Sequence, residues 1–216
     1  MNDIIALIIP SAIETLYMVF ISLAFTILLG LPLGITLVVT EKGHILPNKV
    51  INFILSYFIN ITRSLPFVIL MVFIIPFTRF LVGTTIGTTA AIVPLVFAAT
   101  PFFARIVESS INEVDWGVIE ASIAMGASPL QIILKVLIPE AMSSLVLGVT
   151  ITIINILGYS AMAGVVGGGG LGDLAVRYGY HRFQTNLMLI TVLILVILVQ
   201  VIQSSGNKIA QAINKK

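Results

Sequence analysis

The sequence contains no cysteine, which excludes disulfide frameworks, thiol nucleophiles and cysteine metal sites. Charge is also scarce, because only 9% of the 216 residues are Asp, Glu, Lys or Arg, whereas soluble domains carry about 25%. Hydrophobic residues, in contrast, make up 58% of the chain, and the mean hydropathy is +1.15. These values exclude an ordinary soluble domain and indicate a membrane protein.

The net charge of +2 does not predict nucleic-acid binding, because the basic residues are scattered and form no stripe with interleaved aromatics. Lysine and arginine in cytoplasmic loops are the simpler interpretation. The N-terminus opens "MNDII" without a basic region, and Glu14 follows soon after. We therefore expect the first apolar segment to stay in the protein instead of acting as a cleaved signal.

Five segments are apolar enough to cross a bilayer core, which takes about 20 residues of helix. We predict an all-α chain with a transmembrane domain over 11–204 and spans at about 12–40, 52–80, 87–106, 141–166 and 187–202. Arg63 lies inside the second span, where it would cost about 2.5–3.5 kcal/mol at mid-membrane. Because Ser64 reads as an N-cap and Pro66 as a first-turn proline, the helix is predicted to restart there. Arg63 would then lie near one interface, and the sequence assigns it no role.

Five spans put the two termini on opposite sides of the membrane, and the loop charges predict which side each faces. The loops and tail on one side carry six lysines: Lys42, Lys49, Lys135, Lys208, Lys215 and Lys216. The opposite loops carry three arginines: Arg79, Arg177 and Arg182. The positive-inside rule therefore predicts an external N-terminus, a cytoplasmic C-terminus and a cytoplasmic loop at 108–139.

That loop contains the half-polar stretch "EASIAMGASPLQIILKVLIP", Glu120 to Pro139, which we call the corner segment. Gly126 follows a helix-compatible run, where a left-handed terminator would lie. Ser128 then suits an N-cap, Pro129 the first helical position and Gln131 the third. An apolar stripe follows at helical spacing and Pro139 closes the element: Ile132, Ile133, Val136 and Leu137. The pattern predicts two short helices around a turn, either a self-stabilised loop or a docking surface.

The spacing of this segment resembles the cytoplasmic signature of ATP-binding-cassette importer permeases. That signature is Glu-Ala-Ala, three residues, Gly, nine residues and Ile-x-Leu-Pro, and here Ser122, Val136 and Ile138 are conservative replacements. In that family the segment is a coupling helix that seats in a groove of a separate ATPase subunit. The resemblance implies that the docking residues are Glu120, Ala121, Ser122, Gly126, Ala127, Ser128, Pro129 and Pro139.

Further stretches, "TRSLPFVILMVFIIPFTR", "AAIVPL" and "LGYSAMAGVVGGGGLG", resemble the five-span permease of bacterial methionine importers. The resemblance implies the type I importer fold in the plasma (inner) membrane and a homodimer of this chain. It also implies two ATPase subunits that bind ATP and magnesium, and an external methionine-binding lipoprotein. The expected activity is import of L- and D-methionine and close analogues by alternating access. For this chain we expect no catalytic residue, metal or cofactor.

The fourth span contains the candidate translocation path. Small residues from Gly158 to Gly164 permit close helix approach, so two copies could bring their Met162 side chains together as an apolar plug. The alternative is that Met162 only faces lipid. Tyr159 and Ser160 are predicted to line or close the path, and Asn155 either faces the path or bonds to a neighbouring helix.

Three other interpretations compete with this one. A secondary transporter would carry buried carboxylates in its spans, whereas Glu14 and Glu108 lie at span ends, the latter placed to pair with Arg105. The glycines of residues 167–172 satisfy G-x-G-x-x-G, but a dinucleotide site needs a preceding strand. A permease for another amino acid or small solute remains open, because the corner segment does not discriminate between substrates.

Overall fold

The computed structural model describes residues 2–214. Lys215 and Lys216, two of the six lysines that predict the orientation, lie outside the described part. Within residues 2–214 the regular structure is entirely helical, which confirms the all-α prediction. The helices are α1 (Asn2–Val39), α2 (Lys49–Ser64), α3 (Phe67–Phe73), α4 (Ile75–Val82), α5 (Thr88–Asn112), α6 (Trp116–Ala124), α7 (Pro129–Ile132), α8 (Ile138–Glu140), α9 (Met142–Ala163), α10 (Gly170–Leu174) and α11 (Thr185–Ile213). Single π-helical turns cover Ile133–Leu137, Gly164–Gly168 and Ala175–Tyr180.

Four of the helical stretches in the described residues are long and apolar enough to cross a membrane, and α2 with α3 counts as a fifth if the bent pair is one span. The four are Ile4–Val39, Thr88–Asn112, Met142–Gly168 and Thr185–Ile213. These helices extend beyond the predicted spans, because a helix can continue past the apolar stretch that defines its span. The first begins at Asn2 and the last continues to Ile213.

Helices α1 and α5 pack with their backbones close together. A Cβ atom at Gly34 would lie 2.5 Å from Cβ of Val107 and 2.6 Å from the carbonyl oxygen of Ala104. One at Gly30 would lie 2.9 Å from Cδ1 of Phe103. Small residues at a helix interface of this kind permit the van der Waals contact that holds membrane helices together.

The two largest of the four apolar clusters among residues 2–214 lie at different levels along the helices. One joins α1, α3, α5 and α9 through Met18, Phe67, Leu95 and Ile156. The other lies at the opposite end, where Val38, Val107 and Leu145 surround residues of the corner segment, including Ile132 and Leu137. The corner segment is therefore packed onto the ends of the spanning helices instead of hanging as a free loop.

The second span is broken, as predicted, at Ser64–Pro66, and α2 and α3 meet at 105°. One detail of that prediction was wrong. Ser64 is the last residue of α2 and donates its hydroxyl to the carbonyl oxygen of Asn60 (2.8 Å), so the N-cap of α3 is Pro66 and lacks a side-chain bond. Arg63 lies in the last turn of α2, about 20 Å along the helix from Lys49, and its place near one interface stays a prediction.

A glycine-rich turn after α9 folds back onto α1. The N–H of Gly170 donates to Oε2 of Glu14 (2.7 Å), and that of Leu171 to Oγ1 of Thr15 (2.8 Å). The residues before this turn are helical. A dinucleotide fingerprint requires a strand there, so the glycines serve a turn between helices.

Candidate functional site

The first helix of the corner segment ends where the sequence predicts. Asp115 caps α6 by accepting a hydrogen bond from the N–H of Gly117 (2.7 Å). Gly126 has φ +78°, the left-handed conformation expected of a helix terminator. Its N–H donates to the carbonyl oxygen of Ile123 (2.9 Å), and the N–H of Ala127 donates to that of Ser122 (3.1 Å).

The second helix of the corner segment starts with the predicted capping box. Oγ of Ser128 accepts from the N–H of Gln131 (3.4 Å), and Oε1 of Gln131 accepts from the N–H of Ser128 (2.8 Å). Pro129 is the first helical residue, where a missing N–H costs nothing. The helical path continues through a π turn to Glu140, one residue beyond the predicted end at Pro139.

The side chains of the corner segment divide into an anchored face and a free face. Ile132 and Leu137 are fully buried, and the other stripe residues Ile133 and Val136 are half-buried. Of the eight predicted docking residues, Ser122 is buried and Ala127 is half-buried. The other six are exposed: Glu120, Ala121, Gly126, Ser128, Pro129 and Pro139.

The free face of the corner segment is also apolar. Met125 is 81% exposed, Leu130 64% and Leu134 55%. Long apolar side chains held in solvent by capped helices form the kind of patch that marks a protein–protein contact. The geometry therefore favours the docking interpretation over that of a self-stabilised loop.

The loop between α1 and α2 supports this segment from the side. The rings of His44 and Trp116, the first residue of α6, meet edge to face with centroids 5.5 Å apart. Burial lowers the pKa of His44, because desolvation penalises the charged imidazolium, and nearby Glu41 opposes this shift. The neutral ring is thus the form that packs against α6.

The residues predicted for the translocation path separate into two groups. Asn155, Tyr159 and Met162 follow the i, i+4, i+7 spacing and share one face of α9, where Met162 is 48% exposed. The ring of Tyr159 stacks on Phe67 of α3, with centroids 4.5 Å apart. Ser160 is 2% exposed on another face, and its hydroxyl donates to the carbonyl oxygen of Leu157 (2.7 Å).

The predicted pair of Arg105 and Glu108 is present, with Nη1 and Oε2 2.6 Å apart. Arg105 also makes a second contact that was not predicted: its Nη2 donates to Oδ1 of Asn60 on α2 (3.0 Å). The signal that could have found it is the polar residue at every fourth position of α2: Asn52, Ser56 and Asn60.

A multi-span helical chain with an exposed, anchored corner between its spans is the form of a membrane transport subunit. The model of the family described as "binding-protein-dependent transport system inner membrane component" matches residues 27–216. The chain belongs to this family and is a translocation component of an inner-membrane transport system, not an enzyme.

Relatives and solved structures make the comparison more specific. The chain is 52% identical over 203 residues to the probable D-methionine transport system permease protein MetI of Vibrio cholerae, covering 94% of this chain and 90% of that protein. It is 45% identical over 180 residues to the methionine import system permease protein MetP of Bacillus subtilis, covering 83% and 81%. A chain of the MetNI methionine ABC transporter, solved in inward-facing conformations, superposes with a TM-score of 0.98 at 47% identity, covering all of both chains. Its fold, of the type I importer permease class, is the fold of this chain.

Proposed function

We propose that this chain is the permease subunit of an ATP-driven importer for L- and D-methionine and close analogues. The observation that carries the proposal is the likeness to the MetNI methionine transporter, at 47% identity and a TM-score of 0.98 over the whole chain. Relatives in both Vibrio cholerae and Bacillus subtilis bear names of methionine permeases.

The corner segment is the proposed docking point for a separate ATPase subunit, which binds ATP and magnesium. Its free apolar face supplies the contact area, while Ile132 and Leu137 fix it to the ends of α5 and α9. A displacement of the corner segment is therefore transmitted to both helices, because close-packed interiors do not absorb it. In this proposal the corner segment and the C-terminus face the cytoplasm, and the N-terminus lies outside.

A second copy of this chain is proposed to cover the exposed face of α9. Ile151, Met162 and Val165 on that face are each between 48% and 58% exposed. Gly158 lies among them with open space around it, which lets a neighbouring helix approach closely. The homodimer axis would pass here, so that the path runs between two α9 helices, with Met162 as its apolar gate and Asn155 and Tyr159 beside it.

Transport then proceeds by alternating access driven from outside the chain. ATP binding draws two ATPase subunits together, and each moves its corner segment. The ends of α5 and α9 follow, the Met162 constriction opens toward an external methionine-binding lipoprotein, and one amino acid enters. Hydrolysis resets the inward-facing form. The described structure is similar to that form, because it superposes on the inward-facing MetNI chain.

Uptake by purified components tests this proposal. Liposomes containing this chain with its ATPase subunit, supplied with the binding protein, are expected to accumulate labelled methionine only with internal ATP. Unlabelled L- and D-methionine should compete better than any other amino acid. If another solute competes better, the chain is a permease for that solute, and the methionine assignment fails.

The gate proposal predicts the behaviour of Met162→Ala. Removing the thioether side chain opens the apolar constriction, so passive efflux of methionine without ATP is expected to rise several-fold. Met162→Leu retains an apolar side chain of similar volume and is expected to keep the efflux near that of the parent. Efflux from preloaded liposomes measures both. Unchanged efflux with alanine would leave Met162 a lipid-facing residue.

A further inference from the structure

Helix α2 has two chemically different faces. Its apolar face is exposed, with Val50 67%, Ile54 59% and Phe58 53% exposed. The other side carries a line of polar residues at helical spacing: Asn52, Ser56, Asn60 and Arg63. A membrane helix that turns its apolar face to lipid must direct its polar face to protein or water.

Arg63, at the C-terminal end of this polar line, has no partner among the described residues. Nδ2 of Asn52 donates to the carbonyl oxygen of Leu37 (2.7 Å), and Asn60 bonds to Arg105. The guanidinium of Arg63 is exposed and makes no hydrogen bond or ion pair with any residue from 2 to 214.

Arg63 lies far along a helix that counts, together with α3, as one candidate membrane span. α2 has 16 residues, and Arg63 is the penultimate one, near the end of a helix about 24 Å long that begins at Lys49. Within such a span an arginine that faces lipid would cost about 2.5–3.5 kcal/mol or more, which favours a polar surrounding for the guanidinium.

The interruption between α2 and α3 next to Arg63 also favours a polar surrounding for the guanidinium. Ser64, Leu65 and Pro66 are non-helical or terminal and exposed. Irregular backbone at membrane depth is tolerated only where it is buried in protein or lines a water-filled cavity. Phe67, the first residue of α3 after the break, stacks on Tyr159, so the break is held beside the proposed path.

Within residues 2–214 no carboxylate is placed to pair with Arg63. Helices α2, α3, α4, α9 and α11 contain no Asp or Glu. On α1 and α5, Glu14 accepts the N–H of Gly170 and Glu108 pairs with Arg105. A bound molecule is therefore the natural source of a counter-charge for Arg63.

We propose that Arg63 is a substrate-binding residue of the path and receives the α-carboxylate of the transported amino acid. A guanidinium presents a planar fork of N–H donors that matches a carboxylate in a bidentate pair. Arg63 thereby selects amino acids over solutes without a carboxylate, whereas the side chain meets the apolar Met162 and Tyr159. This inference rests on the proposed importer function.

The test uses the reconstituted complex with Arg63→Gln, Arg63→Lys and, as control, Arg79→Gln, which alters another exposed arginine on α4. Arg63→Gln is expected to lower methionine uptake per ATP hydrolysed by about tenfold, as expected for a lost charge-assisted contact. Arg63→Lys keeps the positive charge but lacks the planar fork of donors, so its uptake per ATP hydrolysed should lie between those of the parent and Arg63→Gln. In both Arg63 variants the substrate concentration for half-maximal uptake should stay near the parent value, because the binding protein sets it, and so should the rate of ATP hydrolysis. Arg79→Gln should match the parent in all of these measurements.

Competition for labelled methionine bound to the detergent-solubilised complex tests the carboxylate directly. Methionine and 3-methylthiopropionate, which retains only the carboxylate, should compete, whereas methioninol should not, and Arg63→Gln should abolish this preference. Equal competition by methioninol, or unaltered uptake by Arg63→Gln, overturns the inference. So does a parallel loss of assembly and ATP hydrolysis in both Arg63 variants, which indicates a structural role. If the loss of uptake in Arg63→Gln instead varies with the anionic lipid content of the liposomes, Arg63 binds a lipid phosphate and not the substrate.

The two proposals fail in different ways. If the parent complex transports methionine but Arg63→Gln equals it, the importer stands and the role of Arg63 is wrong. If the parent does not transport methionine, the substrate assignment is wrong, and the same variants are compared with the amino acid that it does transport.

Discussion

Replacing Gly126 by leucine is expected to lower ATP-driven uptake strongly while leaving the protein inserted and assembled. Gly126 has φ +78° at the exposed turn of the corner segment. A side chain in the left-handed region costs about 1–2 kcal/mol. The population of the docking-competent turn, and with it coupled uptake, should therefore drop by about 5- to 30-fold.

A matched control separates strain from coupling. Gly83 also has a positive φ (+79°), follows α4 at an exposed position, and has open space where a Cβ would be. Gly83→Leu introduces the same side chain and a similar strain away from the corner segment and from the loop that supports it, so its uptake should stay within about twofold of the parent. Uptake and ATP hydrolysis in the same liposomes measure both variants.

Three results can follow for Gly126→Leu, and each has a distinct meaning. Loss of uptake with hydrolysis retained, or loss of the ATPase subunit during purification, supports docking at the corner segment. Normal uptake contradicts it. An equal loss in Gly83→Leu assigns the effect to backbone strain in the loops generally.

The local geometry of the corner segment could be predicted residue by residue from the sequence. Helix caps and left-handed terminators depend on neighbours within four positions. The conformations of Gly126, Ser128 and Gln131 can therefore be predicted from the local sequence alone. The break at Ser64–Pro66 was likewise predictable in position. Its 105° angle was not, since the direction of α3 depends on packing with α9, including the stack of Phe67 on Tyr159.

The path residues were harder to predict for a different reason. α9 is apolar or small on nearly every side, so hydrophobic periodicity does not indicate which face is buried. Ser160 was therefore grouped with Tyr159 and Met162, although the structure directs it into the core. The contact of Glu14 with Gly170 was also out of reach, because 156 positions separate the two residues.

Contacts along α5 connect the corner segment with the helix that carries Arg63. Arg105 on α5 holds Asn60 on α2, one turn from Arg63, and the end of α5 packs against the corner segment. In the proposed mechanism, a motion of the corner segment that shifts α5 should thus move Arg63 relative to the path. An ATPase docked as proposed would thereby alter the affinity of the path for its substrate, as alternating access requires.

The largest loss of stability is expected from a single methyl group, in Gly172→Ala. A Cβ at Gly172 would lie 2.5 Å from Cα of Ala161 and 2.8 Å from its carbonyl carbon, so backbone, not a flexible side chain, must move. α10 would be forced away from the end of α9. Overpacking of this kind costs about 3 kcal/mol, which should lower the thermal unfolding midpoint of the detergent-solubilised complex by about 5–10 °C.

Gly158→Ala provides the matched control, because it adds the same methyl group to α9 at a position with nothing within 4 Å. Within this chain alanine favours a helix over glycine by up to about 1 kcal/mol, whereas a second α9 at the proposed dimer axis would oppose this gain. The loss of midpoint in Gly158→Ala should therefore be clearly smaller than in Gly172→Ala. Unchanged midpoints for both variants would contradict the close contact of α9 and α10. A loss in Gly158→Ala as large as in Gly172→Ala would indicate that a neighbouring helix of the assembly contacts Gly158 as closely as Ala161 contacts Gly172.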